Sequence, residues 1–305
     1  MRLSVTGATG TIGRALVSEL RERGDEVTAL SRDAERAAAS LGVPAEQWAE
    51  PKQEPAPAAA LRGRDAVVHL LGETIAQRWS DDAKREIRDS RVLATRNLVA
   101  GLRELPAEER PRVLVSQSAV GVYGARGDER LDESAPAGDD FLAQVVKDWE
   151  AEARAAEELG VRVVLTRTGV VLSEEGGALE KMLPFFKLGI GGPVAGGRQY
   201  VPWVHLEDVI GAMLFALDTQ AASGPLNVTA PEPATNKDLS HALGRVLHRP
   251  AFAPVPGLAV KALYGEMAMI VTTGQRAVPA RLTELGYEFR RPDIEGALRE
   301  ATGKS

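Results

Sequence analysis

Arg2–Thr6 is a short apolar run that breaks into a glycine-rich turn at residues 7–13, after which apolar side chains recur at helical spacing as far as Gly24. The pattern predicts a strand, an amphipathic helix over Ile12–Arg23 and a second strand over Glu26–Leu30. Residues 34–62 are rich in Ala and Pro, lack a clean period, and read as a variable helix and loop. Beyond them the predicted elements are a strand at Ala66–Leu70, a long helix at Ser80–Leu102 and a strand at Arg112–Ser116. A helix at Phe141–Leu159, stopped by Gly160, and a strand at Val161–Thr166 follow. Strands separated by helices pair in parallel, which predicts a doubly wound sheet.

Past residue 170 the alternation gives way to glycine pairs around a short helix at Leu179–Leu188. A helix at Leu206–Leu217, a strand at Pro225–Val228, a helix at Asn236–Leu247 and a last helix from Asp293 complete the pattern. The expected fold is α/β. A Rossmann-type domain spans residues 1–170, its sheet completed by parts of 200–230, and a smaller C-terminal α+β substrate lobe spans 171–305. The cleft between the two is where a substrate is expected.

Composition narrows the chemistry. Of 305 residues, 44% are hydrophobic and 26% charged, ordinary for a globular protein, and the net charge of −6 argues against nucleic acid or an anionic membrane as partner. There is no cysteine, so disulfides and thiolate chemistry are excluded, and four scattered histidines show no metal-ligand spacing. No apolar run approaches the ~20 residues of a membrane span. The expectation is a cytoplasmic protein with a small-molecule substrate and no metal.

The turn Gly7-Ala-Thr9-Gly10-Thr11-Ile12-Gly13 follows a strand and opens a helix, the placement that grips a dinucleotide pyrophosphate. Gly7 allows the tight turn, Gly10 lets the backbone approach the anion, and Gly13 lets helix and strand pack closely. Strand two ends in Ser31-Arg32. A hydroxyl and a guanidinium suit the 2′-phosphate of NADP(H) in preference to NAD(H), although Asp33 keeps the NAD option open and a plain surface turn is the alternative. The strand Val67–Leu71 ends at Gly72, where Leu71 and Gly72 are expected to lie against the cofactor; His69, inside that strand, reads as a core histidine.

Together Ser116-Gln-Ser118-Ala-Val-Gly-Val-Tyr123-Gly, Trp149-Glu150, Trp203-Val-His205-Leu-Glu-Asp208 and Asn227-Val-Thr-Ala-Pro resemble the extended short-chain dehydrogenase/reductase superfamily. The likeness is to its NAD(P)-dependent epimerase/dehydratase family, and within that to the "epimerase family" branch with its own C-terminal domain. The likeness extends over essentially the whole chain. It implies a hydroxyl at Ser118 beside the nicotinamide and a lysine, Lys147, binding the cofactor ribose. The superfamily's acid/base tyrosine, four residues before that lysine, is here Ala143, which can neither donate nor accept a proton.

Candidates for the substrate cleft are Glu73, Arg78, Trp79, Tyr123, Tyr200 and Trp203. For Trp79, Trp149 and Trp203, filling the core between the two lobes is the better reading and a wall for the substrate the other, while Arg167 either pairs with an internal acid or meets a substrate anion. The function expected from these residues is that of an NADP(H)-binding, epimerase/dehydratase-like oxidoreductase without the usual tyrosine. A weak or inactive NADP(H)-binding sensor or scaffold is the alternative.

Overall fold

The computed structural model describes residues 1–304. Seven strands form one sheet: β1 (Arg2–Thr6), β2 (Glu26–Ser31), β3 (Ala45–Gln47), β4 (Ala66–His69), β5 (Val113–Ala119), β6 (Arg162–Thr168) and β7 (Gly224–Val228). Their order is β7-β6-β5-β4-β1-β2-β3, with every neighbouring pair parallel. The chain winds one way from β1 and the other way from β4. Their carboxyl ends therefore part into a crevice at the point of reversal.

Alternate residues of each strand face opposite layers. Leu3, Val5, Val68 and Val115 pack with Leu16, Leu20, Val209 and Met213 from helices Thr11–Glu22 and Leu206–Asp218. Val67, Leu114, Val163 and Leu165 pack with Leu98, Leu102 and Ala153 from helices Asp81–Arg103 and Phe141–Arg154. Burial of both sheet faces is why the strands read as unbroken apolar runs with no alternation.

Among the departures from the pattern-based expectation, two lie around the sheet. Residues 34–62 hold a helix at Ala34–Leu41 and the edge strand β3, which is three residues long and too short to show a period. The helix expected over Phe141–Leu159 ends at Arg154, and a separate 3₁₀ turn at Glu157–Leu159 leads to Gly160.

The later residues build a third apolar cluster. Leu183 and Phe186 of helix Gly177–Lys187 meet Trp203, Leu243 of helix Asn236–Leu247 and Leu298 of helix Ile294–Ala301. A short strand at Arg276–Ala277 pairs in parallel with Arg130–Leu131 and ties the two regions together.

Candidate functional site

The glycine turn is shaped by close approaches. Gly7 has φ +66°, and a side-chain carbon there would lie 2.7 Å from the carbonyl oxygen of Leu70. At Gly13 such a carbon would lie 2.3 Å from Gly7 O, so only glycine lets helix Thr11–Glu22 sit this near β1. Gly10 is different: a carbon there would meet only Gly7 O, at 3.4 Å, and would otherwise project into open space. Gly10 is also the residue before the helix, no side chain caps it, and no acid lies in the first turn. The free N–H groups of that turn thus face a cradle with no negative charge of its own, flanked by exposed Thr9 and Thr11 and half-buried Ile12. These residues fit a dinucleotide pyrophosphate.

At the end of β2, Ser31 is half-buried and Arg32 exposed, and the Arg32 guanidinium has no side-chain partner among the described residues. Asp33 is occupied. Its carboxylate accepts from Arg36 N at 3.0 Å and caps helix Ala34–Leu41. Arg36, itself exposed, adds a second guanidinium on the first turn of that helix.

Beyond β4 the chain passes half-buried Leu71 and exposed Gly72. His69 lies wholly in the core, with Nδ1 2.8 Å from Thr6 Oγ1 and Nε2 2.9 Å from Thr95 Oγ1, and burial pulls its pKa down to about 3. It is a neutral structural residue.

A cavity of about 270 Å³ opens beside the carboxyl end of β5. Gln117 to Gly121 at the end of β5, Ile75, and Ile87 and Arg91 of helix Asp81–Arg103 line it, together with Leu142, Val145, Val146 and Trp149 of helix Phe141–Arg154. Thr168 to Val171, Tyr200, Met269 and Ile270 close it. Helix Phe141–Arg154 therefore presents Leu142 and Val146, one turn apart, to the cavity. Ala143 is completely buried, and Lys147, half-buried and without a hydrogen-bond or ion-pair partner among the described residues, lies off the cavity lining. Of this helix, then, Leu142, Val145, Val146 and Trp149 reach the cavity, and the expected Ala143 and Lys147 do not.

Ser118 does line the cavity, but its hydroxyl is engaged, donating to Glu150 Oε1 at 2.6 Å. Arg167 grips the same carboxylate with Nε and Nη2, both at 2.8 Å. Burial opposes the Arg167 charge, but the hydrogen bonds and charge of Glu150 outweigh it and hold Arg167 above its ordinary pKa. Arg167 Nη1 also donates to the Tyr123 hydroxyl at 3.1 Å, and that hydroxyl donates to Asn227 Oδ1 at 2.7 Å. Tyr123 is thus a buried strut joining β6 and β7, with no face on the cavity, and burial raises its pKa.

The remaining candidates divide. Tyr200 lines the cavity, with the Arg276 guanidinium 5.1 Å from its ring centre. Trp203 is core, donating from Nε1 to Glu232 O, and Trp79 stacks edge-on against Phe141 behind the cavity wall. Glu73 and Arg78 are exposed and outside the lining. His205 caps helix Leu206–Asp218 through its ring nitrogen, and Asp208 accepts from Tyr287, Arg290 N and Arg291 N, so both are structural.

Arg91 and Gln117 were not among the expected site residues. A signal for Arg91 existed: it follows buried Ile87 by four residues and precedes buried Thr95 by four, on the apolar stripe of its helix.

The chain matches the NAD-dependent epimerase/dehydratase family over residues 3–229, and a domain of unknown function, DUF1731, over residues 255–301. The chain belongs to that epimerase family. This family member is 42% identical over 305 residues to the chloroplastic SDR39U1 homolog, an epimerase family protein of Arabidopsis thaliana, covering 98% of this chain and 86% of the relative. It is 37% identical to the SDR39U1 protein of Homo sapiens, over 98% of this chain and 99% of the relative. The crystal structure of human SDR39U1 (isoform 2) with NADPH superposes with a TM-score of 0.90 at 35% identity, covering 100% of both chains. The UDP-glucuronic acid 4-epimerase of Bacillus cereus, with a TM-score of 0.77 at 16% identity over 98% of this chain and 97% of that one, shares the fold. No helix of the described residues is long and apolar enough to cross a membrane.

Proposed function

We propose that this protein binds NADP(H) in preference to NAD(H) and acts as an epimerase/dehydratase-type oxidoreductase on a compact, largely apolar small molecule. The observation that carries the cofactor reading is the end of β2. Asp33, the acid that could have bound a ribose 2′-hydroxyl, is committed to a helix cap, while Ser31 and an unpartnered Arg32 stand ready for a phosphate. The human relative crystallised with NADPH supports the same reading.

In this assignment Gly7, Gly10 and Gly13 seat the pyrophosphate and Ser31 and Arg32 the 2′-phosphate, while Leu71 and Gly72 form the edge past β4. Bound NADPH supplies hydride chemistry, leaving the chain to orient the substrate and deliver a proton. Of the four tyrosines, Tyr200 alone lines the cavity and takes the place of the missing phenol as candidate proton donor.

The substrate reading rests on size and lining. Ligand pockets run from about 300 to 1,000 Å³, and this one, at about 270 Å³ with Ile, Leu, Val, Met and Trp walls, is tight for a nucleotide sugar. A second reading, an NADP(H)-responsive binding protein, is favoured by one observation: the helix face turned to the cavity carries Leu142 and Val146, neither of which can move a proton.

The two readings are separated by following NADPH oxidation with ketones, aldehydes and quinones alongside nucleotide sugars. Turnover of a compact carbonyl compound, lost in Tyr200→Phe, supports the enzyme. Silence across the panel by a protein that binds NADPH supports the second reading.

A further inference from the structure

Arg91 stands in unusual surroundings. Its guanidinium lines a mainly apolar cavity and lies 5.4 Å from the centre of the Trp149 ring. Nη1 donates to Ile87 O at 3.0 Å and Nη2 to Glu73 O at 2.9 Å, so two backbone carbonyls fix the group in place. Neither carries a full negative charge. Arg91 has no ion-pair partner among the described residues, and Glu73 acts on it only through space while its side chain stays exposed. Arg91 is half-buried, and a partly desolvated guanidinium with no counter-charge is open to pairing with an anion through charge-assisted hydrogen bonds.

Two orphaned polar atoms belong to side chains lining the same cavity. Trp149 Nε1, a donor, and Gln117 Oε1, an acceptor, are buried without hydrogen-bond partners. Buried polar atoms in folded proteins are nearly always satisfied, so two orphans beside one cavity indicate groups that a ligand completes. The donor belongs to the ring beside the uncompensated cation, and the acceptor to a side chain near the end of β5.

From this we infer that the substrate carries one anionic group, a carboxylate or its equivalent, on an otherwise apolar frame. Arg91 and Trp149 Nε1 receive the anion, and the Gln117 amide oxygen accepts a hydrogen from a hydroxyl or amine elsewhere on the molecule. The inference rests on the cavity being the substrate site proposed above and adds the chemical class of what enters it. Arg91 and Gln117 become specificity determinants, distinct from the Ser31–Arg32 pair that faces the cofactor.

The test is calorimetric titration of the NADP⁺-saturated protein with matched aryl probes, cinnamate against cinnamamide and 2-naphthoate against 2-naphthamide. The expected result is that each carboxylate binds at least ~10-fold more tightly than its amide, the size of one charge-assisted hydrogen bond. Arg91→Gln should abolish that preference while the Kd for NADP⁺ stays within about threefold of the parent. Trp149→Phe keeps the ring and removes only the donor, and should lose part of the carboxylate affinity.

Equal binding of carboxylate and amide, or no binding of either pair, overturns the inference. So does an Arg91→Gln variant that weakens NADP⁺ at least as much as cinnamate, because the guanidinium would then serve a cofactor phosphate. Failure of the parent protein to bind NADP⁺ at all would instead remove the functional reading beneath it.

Discussion

Replacing Glu150 with glutamine changes one oxygen to an amide nitrogen, and the structure sets how much should follow. Glu150 is 7% exposed and accepts three hydrogen bonds, one from Ser118 at 2.6 Å and two from Arg167 at 2.8 Å. Arg167 is 8% exposed, and a guanidinium is too basic to shed its proton near neutral pH, so it stays charged when its partner is neutralised. Removing one member of a buried pair typically costs about 3–5 kcal/mol, because the surviving charge stays buried and unpaired. Against a usual domain stability of roughly 5–15 kcal/mol, that is a large share. At about 2–4 °C per kcal/mol for larger domains, the melting temperature should fall by on the order of 10 °C. The assay is urea unfolding with a thermal scan, run on Glu150→Gln and on the double variant Glu150→Leu with Arg167→Met. The double variant should recover most of the loss, since an apolar pair of similar volume leaves no buried charge and only the Ser118 hydroxyl loses its acceptor. A Glu150→Gln protein within about 1 kcal/mol of the parent would refute the reasoning.

Other consequences are equally direct. Gly10→Ala should leave the melting temperature nearly unchanged, because the added carbon meets only one atom at 3.4 Å, yet weaken NADPH by about tenfold or more by occupying the anion's space. Gly13→Ala should instead unfold easily, its carbon driven to 2.3 Å from Gly7 O; paired melting curves and titrations distinguish the two. His69 should make the fold acid-sensitive. Its folded pKa of about 3 lies below the unfolded value of 6.5, so the unfolded chain binds the extra proton and stability falls as pH drops through that window. The loss from pH 7 to pH 5 comes to about 2 kcal/mol. Urea midpoints at both pH values should show a slope that His69→Gln reduces; an unchanged slope would show that His69 does not titrate this way.

The fold was legible because the strands are buried on both faces and the helices carry caps that sequence alone displays. Ser80 and Asp293 each accept from a backbone N–H three residues on, and Thr235 and Asp238 complete a capping box. β3 was invisible since a three-residue edge strand has no period to read. The glycine turn was legible because its chemistry is local, with every critical approach made by Gly7, Ala8 or Leu70.

The cavity was harder to read because it depends on rotation. Neighbouring residues of a helix point about 100° apart, and which of them meets the cavity follows from docking such as that of Glu150 on Ser118 and Arg167 of the sheet. Whether Tyr123 reached the cleft or served the fold was open in the sequence for a similar reason. Its loop lies beside the site, but its hydroxyl is drawn inward by Asn227, 104 residues further on. Arg91 announces itself only as an arginine on an apolar helix stripe, and its lack of a counter-charge emerges from the packed structure alone.

The central claim, that the end of β2 selects NADP(H), is tested most directly by the dissociation constants of NADPH and NADH for the parent protein and for Arg32→Ala. The account predicts that the parent favours NADPH by about 10- to 150-fold, the worth of a charge-assisted contact of roughly 1.5–3 kcal/mol. The substitution should bring the two constants within about threefold by weakening NADPH alone. Equal affinities in the parent, or a preference for NADPH that survives the loss of Arg32, would contradict it.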